Sequence, residues 1–472
     1  MILKNISLTF IEKFLTSIIG AIVSILFIRY LGPSDYGVFA YLTSLLFLFS
    51  LFSYPGLNTI LVRELSQGKN IDRYFSSSLY IILPMTILGY LLFLIYGFYI
   101  ESKVDPIYFL IISTGLFSAI ANLFRRKFIA MQEIDVVVKY NLIIFFILNI
   151  LKIFGIIFSL NFEYFLSVEA ILSSFVFIHL YSKTNKIYLK KIKKLYKIVK
   201  YLFIESWPMF LTGVMIILYS RIDQFMLFKL STESEVGFYA SSVRLVELFY
   251  MFAPIIMTSF FPHISKVYKS DKVKFEFLVK TVTYVFSFFS IFIVVFTIFY
   301  AKEIVTFIFG SDFSSSYSTI QVLIFSLVFV FWSSICHKIY IIVKKQKLNF
   351  YISAVSLIVN IALNYLLIPK YGAYGAAIAT VISYGSYFII IPFVYESKFI
   401  LSEIFKSTLL PTVVATISLL LTILFIEDQN ILNKILVYVM LFMTISYFAL
   451  KNINNESYKY LFSIIKTKII RR

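Results

Sequence analysis

Two pairs of oppositely charged residues lie inside segments that are otherwise almost entirely apolar. Arg244 and Glu247 are three residues apart, and this spacing places them on one face of a helix. Lys152 and Glu169 belong to two consecutive apolar segments. A charge at the centre of a bilayer costs at least about 2.5 kcal/mol unless it faces a cavity or a partner. These four side chains are therefore the first candidates for chemistry, with a cation to attract an anion and an acid to hold or exchange an ion.

The depth of these residues favours a shared cavity but does not require one. Counted at about 1.5 Å per residue from the outer ends of their segments, Arg244 and Lys152 lie about 12 Å deep and Glu169 about 6 Å deep. A second interpretation is that each pair is a structural ion pair, which also satisfies a buried charge. Both interpretations stay open on the residue types alone.

Four further charged residues lie nearer the ends of apolar segments, where long side chains can reach water: Arg29, Arg63, Asp223 and Glu205. Glu205 stands beside Trp207 and Pro208, which suits either a proton site at a kink or an ordinary helix start. The sequence thus predicts two groups of site residues. The cations that would line a substrate cavity are Arg244, Lys152, Arg63 and Arg29, and the acids that would couple an ion or form cavity ion pairs are Glu247, Glu169, Asp223 and Glu205.

The elements that must position these residues are membrane spans. The chain has 472 residues, of which 60% are hydrophobic and 14% charged, with a mean hydropathy of +0.91, whereas soluble domains are about 45–50% apolar. Runs of about 17–25 apolar residues can each cross a hydrocarbon core of about 30 Å. We count fourteen such runs, and therefore predict an all-α polytopic membrane protein: Phe14–Tyr30, Tyr36–Leu57, Ser77–Tyr99, Ile107–Phe124, Asn141–Leu160, Phe165–Tyr181, Leu202–Ser220, Val236–Phe261, Thr281–Tyr300, Ile320–Val343, Phe350–Ile368, Gly375–Tyr395, Thr408–Ile426 and Ile435–Leu450.

The basic residues predict the orientation. The net charge is +19, but the 43 Lys and Arg residues fall mostly in alternate short loops, as the positive-inside rule requires of cytoplasmic loops. This distribution places both termini in the cytoplasm and argues against nucleic acid as a partner. Seven basic residues fall on the outer side: Arg29, Lys103, Arg221, Lys229, Lys302, Lys370 and Lys434.

A basic segment and an internal repeat predict the domain organisation. Eight lysines lie between Lys183 and Lys200, and this segment either binds the inner membrane surface as an amphipathic helix or acts only as a linker that fixes topology. The sequence LGPSDYGVFA at Leu31–Ala40 resembles LSTESEVGFYA at Leu230–Ala240. Six spans separate the copies, so they predict parallel repeats. The predicted divisions are an N-lobe (1–182), the lysine-rich linker (183–200), a C-lobe (201–400) and two final spans with a basic tail (401–472).

No enzyme motif is visible in the sequence. It has no Walker-type glycine loop, no Gly-x-Ser-x-Gly elbow and no metal-ligand spacing, and the single cysteine, Cys336, excludes an intrachain disulfide. We therefore predict no catalytic residue, no metal and no cofactor. The sequence leaves open whether a proton or a sodium gradient would drive such a secondary transporter.

Several segments resemble the Wzx-type polysaccharide flippases of the multidrug/oligosaccharidyl-lipid/polysaccharide exporter superfamily. They are FIRYLGPSDYGVFAYLTSL (27–45), LVRELSQ (61–67), RIDQFMLFKL (221–230), VGFYASSVRLVELF (236–249) and YGAYGAAIATVISYG (371–385). The resemblance spans nearly the whole chain. It implies two pseudo-symmetric six-helix lobes around a central cavity, as in multidrug exporters, followed by two C-terminal helices.

The same resemblance implies the function. A Wzx-type protein moves undecaprenyl-diphosphate-linked oligosaccharide across the bacterial inner membrane for O-antigen, capsule or exopolysaccharide assembly. The partners that the resemblance implies are membrane lipids, a polysaccharide polymerase and a chain-length regulator. In related lipid II flippases a similar stretch carries a cavity arginine, which corresponds here to Arg244. Two alternatives remain: a drug or metabolite exporter of the same fold, and a polytopic polymerase or glycosyltransferase.

Overall fold

The computed structural model describes residues 2–53, 56–170, 195–268, 270–345, 347–390, 395–426 and 429–452. These residues form helices and the short turns between them. In unit 1, defined below, the helices are α1 (Ile2–Ser50), α2 (Leu57–Ser66), α3 (Ile71–Ile95), α4 (Pro106–Ser113), α5 (Ser118–Ala130), α6 (Ile134–Ile157), α7 (162–170) and α8 (Tyr196–Leu230). The others are α9 (Glu233–Tyr250), α10 (Phe252–Val267), α11 (Lys272–Phe299), α12 (Ala301–Phe309), α13 (Tyr317–Leu323), α14 (Ser326–Ile342), α15 (Lys347–Ile390), α16 (Tyr395–Ile426) and α17 (Ile431–Asn452).

The prediction of an all-helical polytopic membrane protein is confirmed. Within the described residues, eleven helices are long and apolar enough to cross a membrane. Two of them, Leu15–Ser50 and Lys347–Phe388, each hold two predicted spans on either side of a kink. The sixth predicted span, Phe165–Tyr181, lies mostly outside the described residues, so the count of fourteen stays a prediction.

Glycine produces both kinks. Gly32 has φ 73° and Gly372 has φ 53°, a left-handed backbone region that glycine adopts without a Cβ clash. Pro33 follows the first kink and Pro369 precedes the second, and proline cannot donate its backbone nitrogen to the helix. Each long helix is thereby divided into two antiparallel limbs, because the chain reverses at the glycine.

The chain divides into two compact units, unit 1 (Met1–Gly237) and unit 2 (Phe238–Arg472). Unit 1 includes α8, which holds the seventh predicted span. One of its cores joins α2, α3 and α5 through side chains such as Leu61, Phe75 and Phe124. In unit 2, α11 packs on α16 and α17 through Ile291, Ala415 and Phe442. The predicted lobe boundaries themselves stay predictions.

The two copies of the internal repeat contact each other reciprocally inside unit 1. A Cβ atom on Gly37 would lie 1.9 Å from the carbonyl oxygen of Glu233, and one on Gly237 would lie 1.9 Å from that of Pro33. Gly37 and Gly237 are 200 positions apart in the chain, and so are Pro33 and Glu233. Since a real Cβ atom cannot approach so closely, only glycine at both positions allows the two turns to cross at this distance.

Candidate functional site

Lys152 and Glu169 form an ion pair, which we call the Lys152 pair. Lys152 Nζ donates to Glu169 Oε1 at 2.5 Å, between α6 and α7. The ammonium also lies 5.0 Å from the ring centre of Phe27 and 5.9 Å from that of Phe39, and the negative ring faces attract the cation. The carboxylate and two rings thus stabilise a charge that would be costly alone in the membrane.

Arg63 lies between two carboxylates in a group that we call the Arg63 cluster, formed by Arg63, Glu64, Tyr201 and Glu205. The guanidinium donates to Glu64 Oε1 at 2.8 Å and to Glu205 Oε1 at 3.1 Å, and the Tyr201 hydroxyl donates to Glu64 Oε1 at 2.9 Å. Hydrogen bonds to Glu64, and then to Glu205, raise the pKa of Arg63. The side chains of Arg63 and Glu205 are 40% and 42% exposed, whereas that of Glu64 is 5% exposed. Glu64 is therefore the buried partner of the guanidinium, and Glu205 is the more exposed one.

A close backbone approach positions the Arg63 cluster. Gly56, just before α2, has φ 66°, and a Cβ there would lie 2.4 Å from the Ser206 carbonyl oxygen of α8. Glycine therefore lets the start of α2 contact α8 directly. Arg63 comes two turns into α2, and Glu205 precedes Ser206 in α8, so this contact brings the two charges together.

Glu101 is the centre of a second buried group, the Glu101 cluster, formed by Tyr41, Tyr96, Glu101, Lys103 and Lys229. Its carboxylate is fully buried and accepts from Lys229 Nζ at 2.7 Å, from the Lys103 backbone N–H at 3.1 Å and from the Tyr41 hydroxyl. Burial alone would raise the pKa of Glu101, but these hydrogen bonds outweigh it and the pKa is lowered. The carboxylate is therefore held ionised.

The Glu101 cluster joins three parts of unit 1. Glu101 follows directly on a π-helical turn, Tyr96–Ile100, that ends the span begun by α3. Lys103 Nζ donates to the carbonyl oxygen of Phe228 at 3.1 Å, near the C-terminus of α8, where carbonyl groups lack helical partners. The Phe228 ring stacks on Tyr41 with 3.7 Å between ring centres. The end of α8 is thus fixed to α1 and α3.

Sequence reasoning did not single out the Glu101 cluster. In the sequence, Lys103 and Lys229 stand out only as basic residues of the outer side, and no motif marks Glu101. One signal is present in the sequence: Glu101 follows directly on an apolar run, and the two lysines are predicted on the same side of the membrane. That signal concerns charge placement and gives no indication of which lysine pairs with the acid.

The remaining predicted site residues lie in three helices. Arg244 and Glu247 are half-buried in α9 of unit 2, Asp223 is buried in α8, and Arg29 is exposed in α1. Asp223 precedes Gln224, whose side-chain oxygen accepts from the Ser44 hydroxyl. The structure therefore brings together Lys152 with Glu169 and Arg63 with Glu205, and the roles assigned to all eight residues stay predictions.

Unit 2 contains a buried polar group without charges, which we call the Asn360 ladder. It connects the two limbs of α15 through the hydrogen bonds Ser356–Ser386 (3.1 Å) and Asn360–Ser383 (3.5 Å), and Asn364 donates to Asn360 at 3.0 Å within the first limb. Tyr239 of α9 joins it through Thr380 at 2.8 Å. Such bonds hold membrane helices together, since a lone polar group in hydrocarbon is unfavourable.

The family model described as "polysaccharide biosynthesis protein" matches residues 2–268, more than half of the chain. The chain belongs to this family. A second model, MatE, matches residues 208–366. The capsular polysaccharide biosynthesis protein CapF of Staphylococcus aureus is 25% identical over 39% of this chain, and the match spans 47% of that protein's length. An uncharacterized membrane protein of Methanocaldococcus jannaschii, MJ1375, is 23% identical over 76% of this chain and 89% of its own.

Solved structures agree on the fold. The lipid II flippase MurJ in an inward closed conformation covers 95% of this chain and is covered in full, with a TM-score of 0.73 and 19% identity. An inward-facing multidrug resistance transporter of the MATE family covers 82% of the chain and is 95% covered, with a TM-score of 0.64 and 12% identity. The expected MATE-like fold and the resemblance to the polysaccharide flippases of this superfamily are confirmed. The chain is a multi-pass membrane protein. It belongs to a family that serves polysaccharide biosynthesis, within a superfamily of transporters.

Proposed function

We propose that the protein is a flippase that moves undecaprenyl-diphosphate-linked oligosaccharide repeat units across the bacterial inner membrane, from the cytoplasmic to the outer leaflet, by alternating access. The observation that carries the proposal is the Arg63 cluster. A guanidinium is always charged and presents several N–H groups, so it can bind a phosphate through two hydrogen bonds at once. Family membership supports the polysaccharide branch of the superfamily over drug export.

The exposed carboxylate of Glu205 gives the Arg63 cluster a way to exchange partners. A diphosphate arriving at Arg63 would take over the hydrogen bonds that Glu205 now accepts, while buried Glu64 keeps the guanidinium in place. Glu205 would then face water and could accept a proton. This step links head-group binding to an acid, which is the relation that coupling to a proton gradient needs. Sodium coupling would instead leave Glu205 ionised.

Lys152 would act in a similar way deeper in the membrane. Its pair with Glu169 is 14% and 29% exposed at the two side chains, so a passing phosphate could compete for the ammonium. The sugars would travel with the head group, and the polyprenyl tail would remain in lipid. Both termini would be cytoplasmic, and a polymerase and a chain-length regulator would take up the product at the outer face.

The test is genetic and measures which leaflet holds the intermediate. The gene is deleted in its host, and surface polysaccharide and lipid-linked repeat units are quantified. We expect the polysaccharide to disappear and the units to accumulate on the cytoplasmic side. Repeat units that reach the outer face but stay unpolymerised would identify a polymerase instead, and unchanged glycan would favour an exporter of other molecules.

Complementation then tests Arg63 itself. Arg63→Gln should lower surface polysaccharide about tenfold or more, since a hydrogen bond between charged groups contributes about 1.5–3 kcal/mol. Lys69→Gln is the matched control, because Lys69 is an exposed cation in the turn after α2. Equal polysaccharide from the two variants, at equal protein levels, would remove Arg63 from the substrate path.

A further inference from the structure

A groove lies between α3 and the start of α8 in unit 1, on a different face of α8 from the Arg63 cluster. Its volume is about 380 Å³, and its lining includes Ile81, Pro84 and Met85 of α3 and Val199, Lys200 and Phe203 of α8. The volume falls in the lower part of the range of small-molecule pockets, about 300–1,000 Å³. Tyr80 and Tyr196 also line the groove, and Lys200, toward the start of α8, is the one charged residue among its lining residues.

The groove opens toward lipid. Phe203 is 41% exposed at its edge, and the next residues of α8 that point away from unit 1, Ile204 and Trp207, are 59% and 46% exposed. Apolar side chains with such exposure on a membrane helix contact acyl chains. The molecule that meets this groove first is therefore a membrane lipid.

The charged end of the groove lies at the level of the head groups. With 35 residues, α8 is about 52 Å long at about 1.5 Å per residue, longer than a hydrocarbon core of about 30 Å. Its first turns therefore extend beyond the acyl chains. Lys197 and Lys200 lie one turn apart there, and both are exposed.

In the sequence, the segment from Lys183 to Lys200 that leads into α8 carries only positive charges. Eight lysines occur between Lys183 and Lys200, and the first acid in α8 is Glu205, which is paired with Arg63. Membrane surfaces with anionic lipids attract such lysines by about 1 kcal/mol each, or about fivefold in affinity. The charge of the site is therefore complementary to a lipid phosphate without a neutralising amine.

We propose that this groove binds an anionic phospholipid of the leaflet that faces the lysine-rich segment. One acyl chain lies along Ile81, Met85 and Phe203, and the phosphate lies beside Lys197 and Lys200. The orientation of the lysines predicts the cytoplasmic leaflet. The inference depends only on the membrane fold and holds whether or not the protein is a flippase.

Native mass spectrometry of the purified full-length chain in mild detergent tests the proposal. Phosphatidylglycerol and phosphatidylcholine with the same acyl chains are titrated, and bound copies are counted. Phosphatidylglycerol should bind more tightly. The double variant Lys197→Gln/Lys200→Gln should bind it about 25-fold more weakly, at about fivefold for each charge. The control Lys272→Gln/Lys274→Gln removes two exposed lysines at the start of α11 and should bind as the wild type does.

A second variant tests the acyl-chain part. Met85→Trp fills the groove without changing charge, and it should weaken both lipids. Equal binding of the two lipids by wild type, or equal loss in the lysine variant and its control, would overturn the proposal. Displacement of phosphatidylglycerol by undecaprenyl phosphate at much lower concentration would also overturn it, because the groove would then belong to the polyprenyl carrier. None of these outcomes bears on the deletion phenotype that tests the proposed function.

Discussion

Three polar groups of unit 1 and the Asn360 ladder of unit 2 hold helices together by different chemistry. In unit 1 the Lys152 pair, the Arg63 cluster and the Glu101 cluster each join a cation to a carboxylate. The Asn360 ladder of unit 2 uses only hydroxyl and amide groups. A guanidinium or ammonium can exchange a carboxylate for a phosphate, whereas hydroxyl and amide groups attract an anion weakly. The three charged groups can therefore exchange a partner for an anion, whereas the ladder can only hold helices in register.

The largest expected effect comes from separating the two repeat turns of unit 1. Gly37→Ala places a methyl group 1.9 Å from the Glu233 carbonyl oxygen. The backbones must then move apart, at a cost of about 3 kcal/mol, and Lys229 at the end of α8 should withdraw from Glu101. Thermal unfolding in detergent measures the stability of the two units, and the Asn360 ladder should be unaffected.

Gly213→Ala is the control for this change. Gly213 lies in α8, and a Cβ there would meet nothing within 4 Å, so alanine should stabilise the helix by about 0.5–1 kcal/mol. If Gly37→Ala were as stable as Gly213→Ala, the close crossing of the repeats would not exist in the protein.

The second effect comes from removing one charge of the Glu101 cluster. Glu101→Gln keeps the shape but leaves Lys229 without its counter-charge. Because the side chain of Lys229 is 32% exposed and can regain water, we expect a loss of about 2–3 kcal/mol, less than for a fully buried pair. The measurement is again unfolding in detergent. Asp312→Asn, an exposed acid in unit 2, should change stability by less than about 0.5 kcal/mol, and a similar loss in both variants would contradict the cluster.

The pH dependence of stability should report the same carboxylate. The folded pKa of Glu101 is lowered, because the hydrogen bonds to Lys229, Tyr41 and Lys103 outweigh burial. Its contribution is therefore fully present above the unfolded pKa, about 4.3, and is lost as the pH falls through the folded pKa. The difference in melting temperature between wild type and Glu101→Gln should shrink as the pH falls below about 4.3. A constant difference would mean that Glu101 is not held ionised.

The sequence predicts the three charged groups of unit 1 only in part. Apolar runs predict the spans, and the Lys152 pair is foreseeable because its residues lie 17 positions apart on consecutive segments. Arg63 and Glu205 are 142 positions apart, and Glu101 and Lys229 are 128 apart. Their pairing depends on how α8 packs on α2 and α3, which no local pattern specifies. The lysines of the Glu101 cluster were visible only as topology signals.

The smallest effect should come from the Asn360 ladder, which carries no charge. Ser383 accepts from Asn360 at 3.5 Å and donates to the Thr380 carbonyl oxygen at 2.8 Å, and hydrogen bonds between membrane helices contribute about 0.6 kcal/mol on average. Ser383→Ala should therefore cost about 0.6 kcal/mol, several times less than Glu101→Gln. Ser315→Ala, at an exposed position, is the control and should have no measurable effect. A loss from Ser383→Ala as large as that from Glu101→Gln would show that the ladder does more than hold the limbs of α15 together, and the contrast between the charged groups and the ladder would fail.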